Sequence, residues 1–541
     1  MKSPEILIST SPSSACTLDP KRVLGCREQR GSSTPRRSAA VRGTALGGCG
    51  TPQLHAQPLT PPPPPPHRCA LPSRGRSLLP STSRSALLIA GNRSSAAPHR
   101  SRTSICTAPQ PDRSWTGTHT RTPPVCYCCW AMEKDPALRL RVFDLNCWAI
   151  RYLSKQRQER IRLIGDRLCQ EGFDLVLLQE IWSERDYSDL KAKLGGCCPF
   201  SHYFRSGVIG SGLCVFSKFP ILDTLLYQYS LNGYPYMLQH GDWFCGKSVG
   251  LVVVRIAEIT FNIYVTHLHA EYSREKDAYL PHRVVQAWEL AQFICHTAKA
   301  ADVVLLGGDL NMHPGDVGVR LLRGWTGLHD AFTEAKHFEG CEDGCTLIPN
   351  NCFTVKSELQ PFPLGIRIDY ILYKAVSSFT VKCEELRTTT GTVPGMDIPY
   401  SDHEAVMAML CIQRRGRTAG ATIGTAMPAL VEVLSEARTE VCMGLLAARQ
   451  QRYSSGRMAV LAMLLLLLQA VGVLGVLGGL VAGKPFPTLS FSLLAFLALA
   501  ILLLAAGLHL FHSIEVKMLQ GTKEQMEMAM RGLQEQPLHR H

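Results

Sequence analysis

Six short apolar runs in this 541-residue chain end in, contain or open from a side chain that can hold charge or move a proton. Residues 138–145 lead into Asn146, 175–178 into Glu180, 260–266 into His267, and 303–306 into Asp309 and Asn311. Asp369 lies within the run 368–373, and Asp402 and His403 come just before the run 405–412. Each residue also has an ordinary reading. A Glu after a strand is commonly solvated, a lone His is commonly a satisfied core or surface residue, and Asp309 in Gly308-Asp-Leu-Asn311 could cap a helix. The ordered set predicts more: one site on one rim, built from successive strand ends. Carboxylates and amides with few thiols suit Mg²⁺ rather than zinc.

Positioning such a rim requires strands that start and stop at the right places. The apolar runs, bounded by polar or turn residues, predict strands at 138–145, 175–178, 213–217, 250–256, 260–266, 303–306, 368–373 and 405–412. Between them, residues 154–171 carry Ile161, Ile164 and Leu168 on one stripe. Residues 282–299 carry a broader stripe that includes Val284, Trp288 and Ile294, and both stripes predict helices. The runs 250–256 and 260–266 are close enough to pair as a hairpin, so the sheets are expected to be mixed. Helices layered on them would give an α/β domain over about 132–413.

Three other motifs compete for a chemical reading. Gly241-Asp-Trp-Phe-Cys-Gly-Lys247-Ser248 satisfies the Walker A pattern, and 303–306 leading to Asp309 imitates a Walker B strand. A phosphate-cradling loop must open a helix. Here Ser248 is followed by Val-Gly-Leu-Val-Val-Val, a β-branched run that reads as a strand. Lys247 is then expected either near the rim, meeting an anionic phosphate, or in solvent. Cys341 and Cys345 resemble half of a zinc clip without a second Cys/His pair, and His267-Leu-His269 lacks a third soft ligand. Thirteen of the 21 cysteines fall from residue 132 onward, an odd number at irregular spacing, which points to a reducing, cytosolic setting.

Charge divides the chain unevenly. Residues 1–131 hold 17 of the 57 Lys and Arg but only 4 of the 44 acidic residues, which leaves 40 of each in the remainder. The net charge of +13 therefore belongs to the N-terminal segment, and the rest lacks the excess basic charge that a duplex-gripping surface uses. That segment also holds 19 of the 34 prolines, including Pro61 to Pro66. Such a composition buries too little apolar surface to offset its conformational entropy. It is read as a disordered or mis-assigned N-terminal extension without a role in the chemistry, and no secretory signal pattern is visible in it.

The C-terminal region changes solvent. Residues 458–482 and 489–511 are apolar runs, each longer than the roughly 20 residues that span a bilayer core. Pro485 and Pro487 separate them, which predicts a two-helix transmembrane hairpin over 458–511 rather than one long helix. Arg449, Arg452 and Arg457 precede the hairpin and Lys517 and Lys523 follow it, against Lys484 in the connector, so both ends are expected in the cytosol. Residues 414–457 read as a linker and juxtamembrane segment. Within it, residues 428–446 suit an interfacial helix or a spacer, and residues 512–541 read as a short cytosolic tail.

The motifs Asp144-Leu-Asn-Cys-Trp148, Gln179-Glu180, Thr266-His267, Gly308-Asp-Leu-Asn311 and Ser401-Asp-His403 resemble the magnesium-dependent endonuclease/exonuclease/phosphatase superfamily. Ser211-Gly-Leu-Cys-Val-Phe-Ser217, Leu231-Asn-Gly-Tyr-Pro-Tyr236, His240-Gly-Asp-Trp-Phe244 and Thr266-His-Leu-His-Ala-Glu-Tyr272 are similar to the animal neutral sphingomyelinases within it. The likeness covers about residues 136–412, and in kind the membrane tail. It implies a DNase I-like four-layered α/β sandwich that binds Mg²⁺ through Glu180 and Asn146, with Asp402 on the metal side. It implies His403 as general base oriented by Asp369, and Asp309 positioning water or contacting the metal. Asn311 and Lys247 would hold the phosphate, and His267 would polarise it or help the departing oxygen. The implied reaction is hydrolysis of sphingomyelin to ceramide and phosphocholine at neutral pH on endoplasmic reticulum membranes, with lyso-platelet-activating factor as a further choline lipid. Trp182, Tyr234, Tyr236, Trp243 and Phe244 are available either to dip into headgroups or to pack in the core. The competing readings are a nuclease or inositol-phosphate phosphatase on the same fold, a P-loop nucleotide-binding protein, and a membrane scaffold with a vestigial site.

Overall fold

In the computed structural model the described residues are 137–356, 359, 361–415, 427–477 and 488–535. The readings made for residues 1–131, for the linker at 416–426, for the hairpin connector at 478–487 and for the extreme C-terminus lie outside them.

Runs rich in Val, Ile, Leu and Phe become strands, and the innermost are buried on both faces, so they read as unbroken apolar runs. The strands are Leu138–Asn146 (β1), Leu175–Gln179 (β2), Phe200–Tyr203 (β3), Cys214–Ser217 (β4), Ile221–Gln228 (β5), Ser248–Ile256 (β6) and Ile259–His267 (β7). They continue with Val303–Asp309 (β8), His329–Asp330 (β9), His337–Glu339 (β10), Asp369–Ala375 (β11), Phe379–Thr388 (β12) and Val406–Arg414 (β13). The helices are Arg157–Glu171 (α1), Glu184–Leu194 (α2), Asp242–Cys245 (α3), Leu280–Thr297 (α4), Val317–Thr326 (α5), Ala331–Glu334 (α6), Met427–Leu477 (α7) and Thr488–Glu535 (α8).

Seven strands form one sheet in the order β10-β12-β13-β1-β2-β4-β3, and six form the other in the order β5-β6-β7-β8-β11-β9. Leu140, Val142, Leu177 and Val215 of the first sheet meet Val252, Ile263, Leu305 and Ile371 of the second in the central core. Ile164 and Leu168 of α1 and Leu190 of α2 cover the outer face of the first sheet. Leu290, Ala291 and Ile294 of α4, with Leu322 of α5, cover that of the second. The order helix, sheet, sheet, helix is the expected four-layered sandwich with mixed sheets.

The register explains the rim. β1 and β2 run parallel with Asn146 opposite Gln179, and β7 and β8 run parallel with His267 opposite Asp309. β11 runs antiparallel to β8 and opens with Asp369 opposite Asp309. β13 runs antiparallel to β1, so the Asp402-His403 turn before it falls at the same end. Parallel strands ending and antiparallel strands beginning at one edge gather the polar residues there.

The Walker reading is overturned. Gly241 to Lys247 encloses only the single turn α3, and Ser248 opens strand β6, whose partners are β5 and β7. No helix N-terminus follows Lys247 to face a phosphate.

Residues 428–457 are helical throughout, as part of α7. Leu434, Ala437, Val441, Leu445 and Ala448 form a stripe at helical spacing, buried against Val284, Val285 and Trp288 of α4 and Leu321 of α5. This segment packs on the α/β domain rather than lying free as a spacer. The region after residue 511 is likewise more than a polar tail. α8 continues to Glu535, and Val516, Leu519 and Met526 enter the same cluster. Between these docked ends the helices are apolar on every side and long enough to cross a membrane, with little of that stretch covered.

Candidate active site

The end of β1 carries Asn146 into a buried position between two carboxylates. Its Nδ2 donates to Glu180 Oε1 and to Asp309 Oδ2, each at 3.1 Å, while its Oδ1 accepts the Trp148 N–H at 3.0 Å. Glu180 follows β2 with φ at 58°, a left-handed backbone that turns its side chain into the cavity. Gly212 makes room for that turn, because a Cβ there would lie 2.5 Å from Ile181 N. Trp182 Nε1 donates to Glu180 Oε2 at 3.2 Å, so this indole faces the site rather than a membrane.

Asp309, at the end of β8, is the hub. Its Oδ1 accepts the Asn311 backbone N–H at 2.8 Å, and its Oδ2 accepts from Asn311 Nδ2 at 3.2 Å. His267 Nε2 lies 3.3 Å from the same Oδ2. Burial pushes this carboxyl up, but the His267 bond and the positive groups around it prevail and hold it well below the usual range. Lys247 Nζ stands 2.7 Å from the same His267 Nε2 and 3.1 Å from Asp242 Oδ1. The lysine is buried inside the site, which excludes the solvent-exposed alternative. Burial opposes its charge, yet the neighbouring Asp242 raises the ammonium's pKa.

Opposite Asp309, Asp369 Oδ2 pairs with His403 Nδ1 at 2.8 Å. Burial disfavours a charged His403, and the Asp369 carboxylate outweighs it, making the imidazole a stronger proton acceptor. Burial raises the neighbouring Asp402 carboxyl to about 7, while Ser401 Oγ donates to it at 3.1 Å. Ligand atoms of Asp309, Asp369 and His403 lie within 4.8 Å of one another, a group able to hold a metal ion. Asp369 Oδ1 is buried without a hydrogen-bond partner. An unpartnered carboxylate oxygen grouped with the Asp309 carboxylate fits a hard, oxygen-seeking dication.

Asn146, Glu180, Lys247, His267, Asp309, Asn311, Asp402 and His403 all line one cavity of about 390 Å³, with Asp369 immediately behind His403. Every site residue expected from the sequence is therefore drawn to a single place. His269 departs from the rim. It stacks on Tyr279 at 4.1 Å, and burial holds its pKa near 4, so it is a neutral packing residue at neutral pH. Cys341 and Cys345 sit in a small apolar cluster with Ile348, apart from this cavity.

Three contributors went unread in the sequence. Asp242 was quoted within the Walker-like run and the His240–Phe244 motif without a role, although it holds Lys247 and accepts from Tyr272 Oη at 2.5 Å. Asp144, two residues before Asn146 and so on the same face of β1, accepts from Gln179 Nε2 at 2.9 Å beneath the site. Buried Arg160 donates to the carbonyl oxygens of Cys147, Trp148 and Tyr400, tying the end of β1 to the loop that delivers His403. The period of β1 could have flagged Asp144; nothing local distinguishes Arg160 from the other α1 arginines.

Comparison with known proteins agrees with this geometry. The Endonuclease/Exonuclease/phosphatase family matches residues 145–403. Sphingomyelin phosphodiesterase 2 of Mus musculus is 53% identical over 400 residues, covering 73% of this chain and 93% of the mouse protein. The Rattus norvegicus protein of that name is 55% identical, covering 61% and 79% of the two chains, and the Homo sapiens one 56%, covering 59% and 76%. With its nine rim residues converged and near-complete overlap with the mouse enzyme, the chain belongs to the neutral sphingomyelinases of the sphingomyelin phosphodiesterase 2 family, phosphoric diester hydrolases of the endonuclease/exonuclease/phosphatase superfamily.

Proposed function

We propose that this protein is a membrane-anchored, Mg²⁺-dependent phospholipase C-type enzyme that hydrolyses sphingomyelin to ceramide and phosphocholine at neutral pH. The observation that carries the reading is the convergence of Glu180, Asp309, Asp369, His403, Lys247 and Asn311 at one cavity. Glu180 would hold the ion with Asn146 beside it and Asp402 on the same side. A bound Mg²⁺ supplies neutralisation of phosphate charge.

The remaining work falls to side chains. His403 gives its Nδ1–H to Asp369, which leaves Nε2 as the acceptor for a proton from water. Asp369 keeps the ring in that tautomer and stabilises the imidazolium that results. Asp309 orients the attacking water. Lys247 and Asn311 bind non-bridging phosphate oxygens, Lys247 as a point charge fixed by Asp242. His267, between Lys247 and Asp309, stands to assist the departing ceramide oxygen.

The cavity mouth supports a substrate that stays in a bilayer. Leu153, Ile209 and Val355 line it, and the adjacent tips Tyr152 and Val208 are 89% and 75% exposed. Val208 and Trp243 also border a smaller cavity with Phe511 and Ile514 of α8, at the end of its apolar stretch. The mouth therefore opens near the level at which α8 would leave the lipid. Tyr234 and Tyr236, stacked at 5.3 Å, pack on that base beside Phe511 and His512. Flanking Arg449, Arg452, Arg457, Lys517 and Lys523 support a cytosolic catalytic domain, on the endoplasmic reticulum by family likeness. Lyso-platelet-activating factor remains a further choline lipid of the same headgroup class, and nucleic acid is not proposed as a partner.

The test is product analysis with full-length enzyme in sphingomyelin-containing vesicles. Phosphocholine and ceramide should appear in equal amounts, cease with a chelator and return with added Mg²⁺. Persistent release in chelator, or release of inorganic phosphate instead, would refute the proposal.

A further inference from the structure

A second buried polar cluster joins α8 to the α/β domain. Glu515 Oε1 lies 3.1 Å from His282 Nε2, and Glu515 Oε2 lies 2.8 Å from His512 Nδ1, with all three side chains buried. Burial pushes the Glu515 carboxyl up, but the two histidine bonds prevail and leave it below the usual range. A buried carboxylate held this way is an expensive way to glue two helices when apolar packing is available. The same interface already has such packing in Leu519, Trp288 and Val285.

What His282 does with its other nitrogen gives the cluster a direction. Nδ1 accepts the Gly233 N–H at 3.0 Å. The ring proton therefore sits on Nε2 and points at Glu515. Gly233 has φ at 85°, and a Cβ there would lie 2.3 Å from His269 Nε2, so its backbone is pressed onto that ring. His269 in turn lies 3.8 Å from Asp242 Oδ2, and Asp242 fixes Lys247. Gly233, Asp242 and Lys247 belong to one connection between β5 and β6. Each step from α8 to the phosphate-binding lysine is a direct contact.

We propose that Glu515 is a positioning residue: by holding His282 it fixes the 232–247 connection and thereby Asp242 and Lys247 at the site. The C-terminal hairpin is then part of the catalytic unit as well as its anchor. The inference deepens the function proposed above and rests on it for the role of Lys247.

The test uses full-length protein and sphingomyelin in detergent mixed micelles. His282→Gln keeps an amide near Glu515 and removes the acceptor for Gly233. Its kcat should fall about tenfold with KM unchanged, as expected for a displaced catalytic group, while membrane retention and melting temperature stay put. Hydrogen exchange should speed up in 233–247 and not in 516–530. A helix-gluing role alone would leave kcat and exchange at wild-type values, and that result overturns the proposal. Glu515→Leu should lower kcat similarly. Should it unfold, Glu515→Gln decides, because it keeps the side-chain volume and removes the charge held by both histidines. Its kcat should fall with the protein folded, and an unchanged kcat overturns the role given to Glu515. Absence of phosphocholine release by the wild type would instead sink the functional reading, and the exchange comparison would still judge this one.

Discussion

At the sheet rim charged side chains are buried, whereas along residues 458–475 and 488–511 large apolar side chains stand exposed. Asp309 is 1% exposed and Phe496 71%. Each inverts what water imposes on a folded chain, and each inversion points to something the surroundings must supply. Buried carboxylates around an unpartnered oxygen call for a cation, and an apolar helix pair calls for hydrocarbon. The docked ends of α7 and α8 show the ordinary case between these extremes, with a single apolar stripe facing protein. One helix thus meets two environments, and the change from a stripe to all-round apolarity marks the boundary.

The rim side of this comparison is broken most severely by His403→Ala or Glu180→Ala. Loss of the proposed general base or of the proposed metal carboxylate should cut turnover by about a thousandfold or more, while circular dichroism stays native. Near-normal phosphocholine release from either variant would mean that the rim polarity is structural.

The helix side is sharpened by separating docking from spanning. Leu519→Ala removes a fully buried side chain from the contact between α8 and α4. It should cost about 2–5 kcal/mol in thermal unfolding and leave the protein in the membrane fraction. Deleting 458–541 should release the protein from lipid and, by uncovering Trp288 and Val285, make it prone to aggregate. Unaltered stability of Leu519→Ala would show that the docked ends contribute little.

How legible each region was follows from what fixes its residue types. Glu180, Asp309 and His403 could be read because chemistry demands them and the strand period says where they point. β5 and β12 were missed because they lie toward sheet edges and carry polar residues such as Asp223, Gln228, Lys382 and Glu384, which blur the apolar run. The stripe from Leu434 to Ala448 was visible as amphipathic, but its partner, α4, is more than a hundred residues distant and leaves no local mark. Lys247 was ambiguous for a related reason. The strand after it ruled out a P-loop, yet only its pairing with Asp242 across α3 and the approach of His267 from β7 decide that it is inside. Trp182 stayed open between headgroups and core, since aromatic type alone does not report direction.

Trp182 offers a finer test of the rim. Trp182→Phe keeps an aromatic ring, smaller than the indole, and deletes the N–H that Glu180 accepts at 3.2 Å. A hydrogen bond to a charged group contributes about 1.5–3 kcal/mol, and Asn146 still holds the other Glu180 oxygen. The loss should appear as a several-fold higher Mg²⁺ requirement with maximal turnover nearly retained. A weaker membrane interaction with unchanged Mg²⁺ dependence would return this indole to the lipid-facing role.

The smallest effect is expected from removing residues 1–131. All nine rim residues fall between 146 and 403, and the core strands begin at Leu138. The removed segment carries the whole +13 excess of the chain, so the change to watch is electrostatic. Basic residues near an anionic leaflet attract it within a Debye length, an effect that salt would screen. On the proposed function the two apolar helices supply anchorage without such help. Turnover at physiological salt should therefore stay within about twofold, and any difference should shrink as ionic strength rises. A large, salt-insensitive loss would show that this segment takes part in folding or catalysis, and would move the start of the catalytic unit upstream of β1.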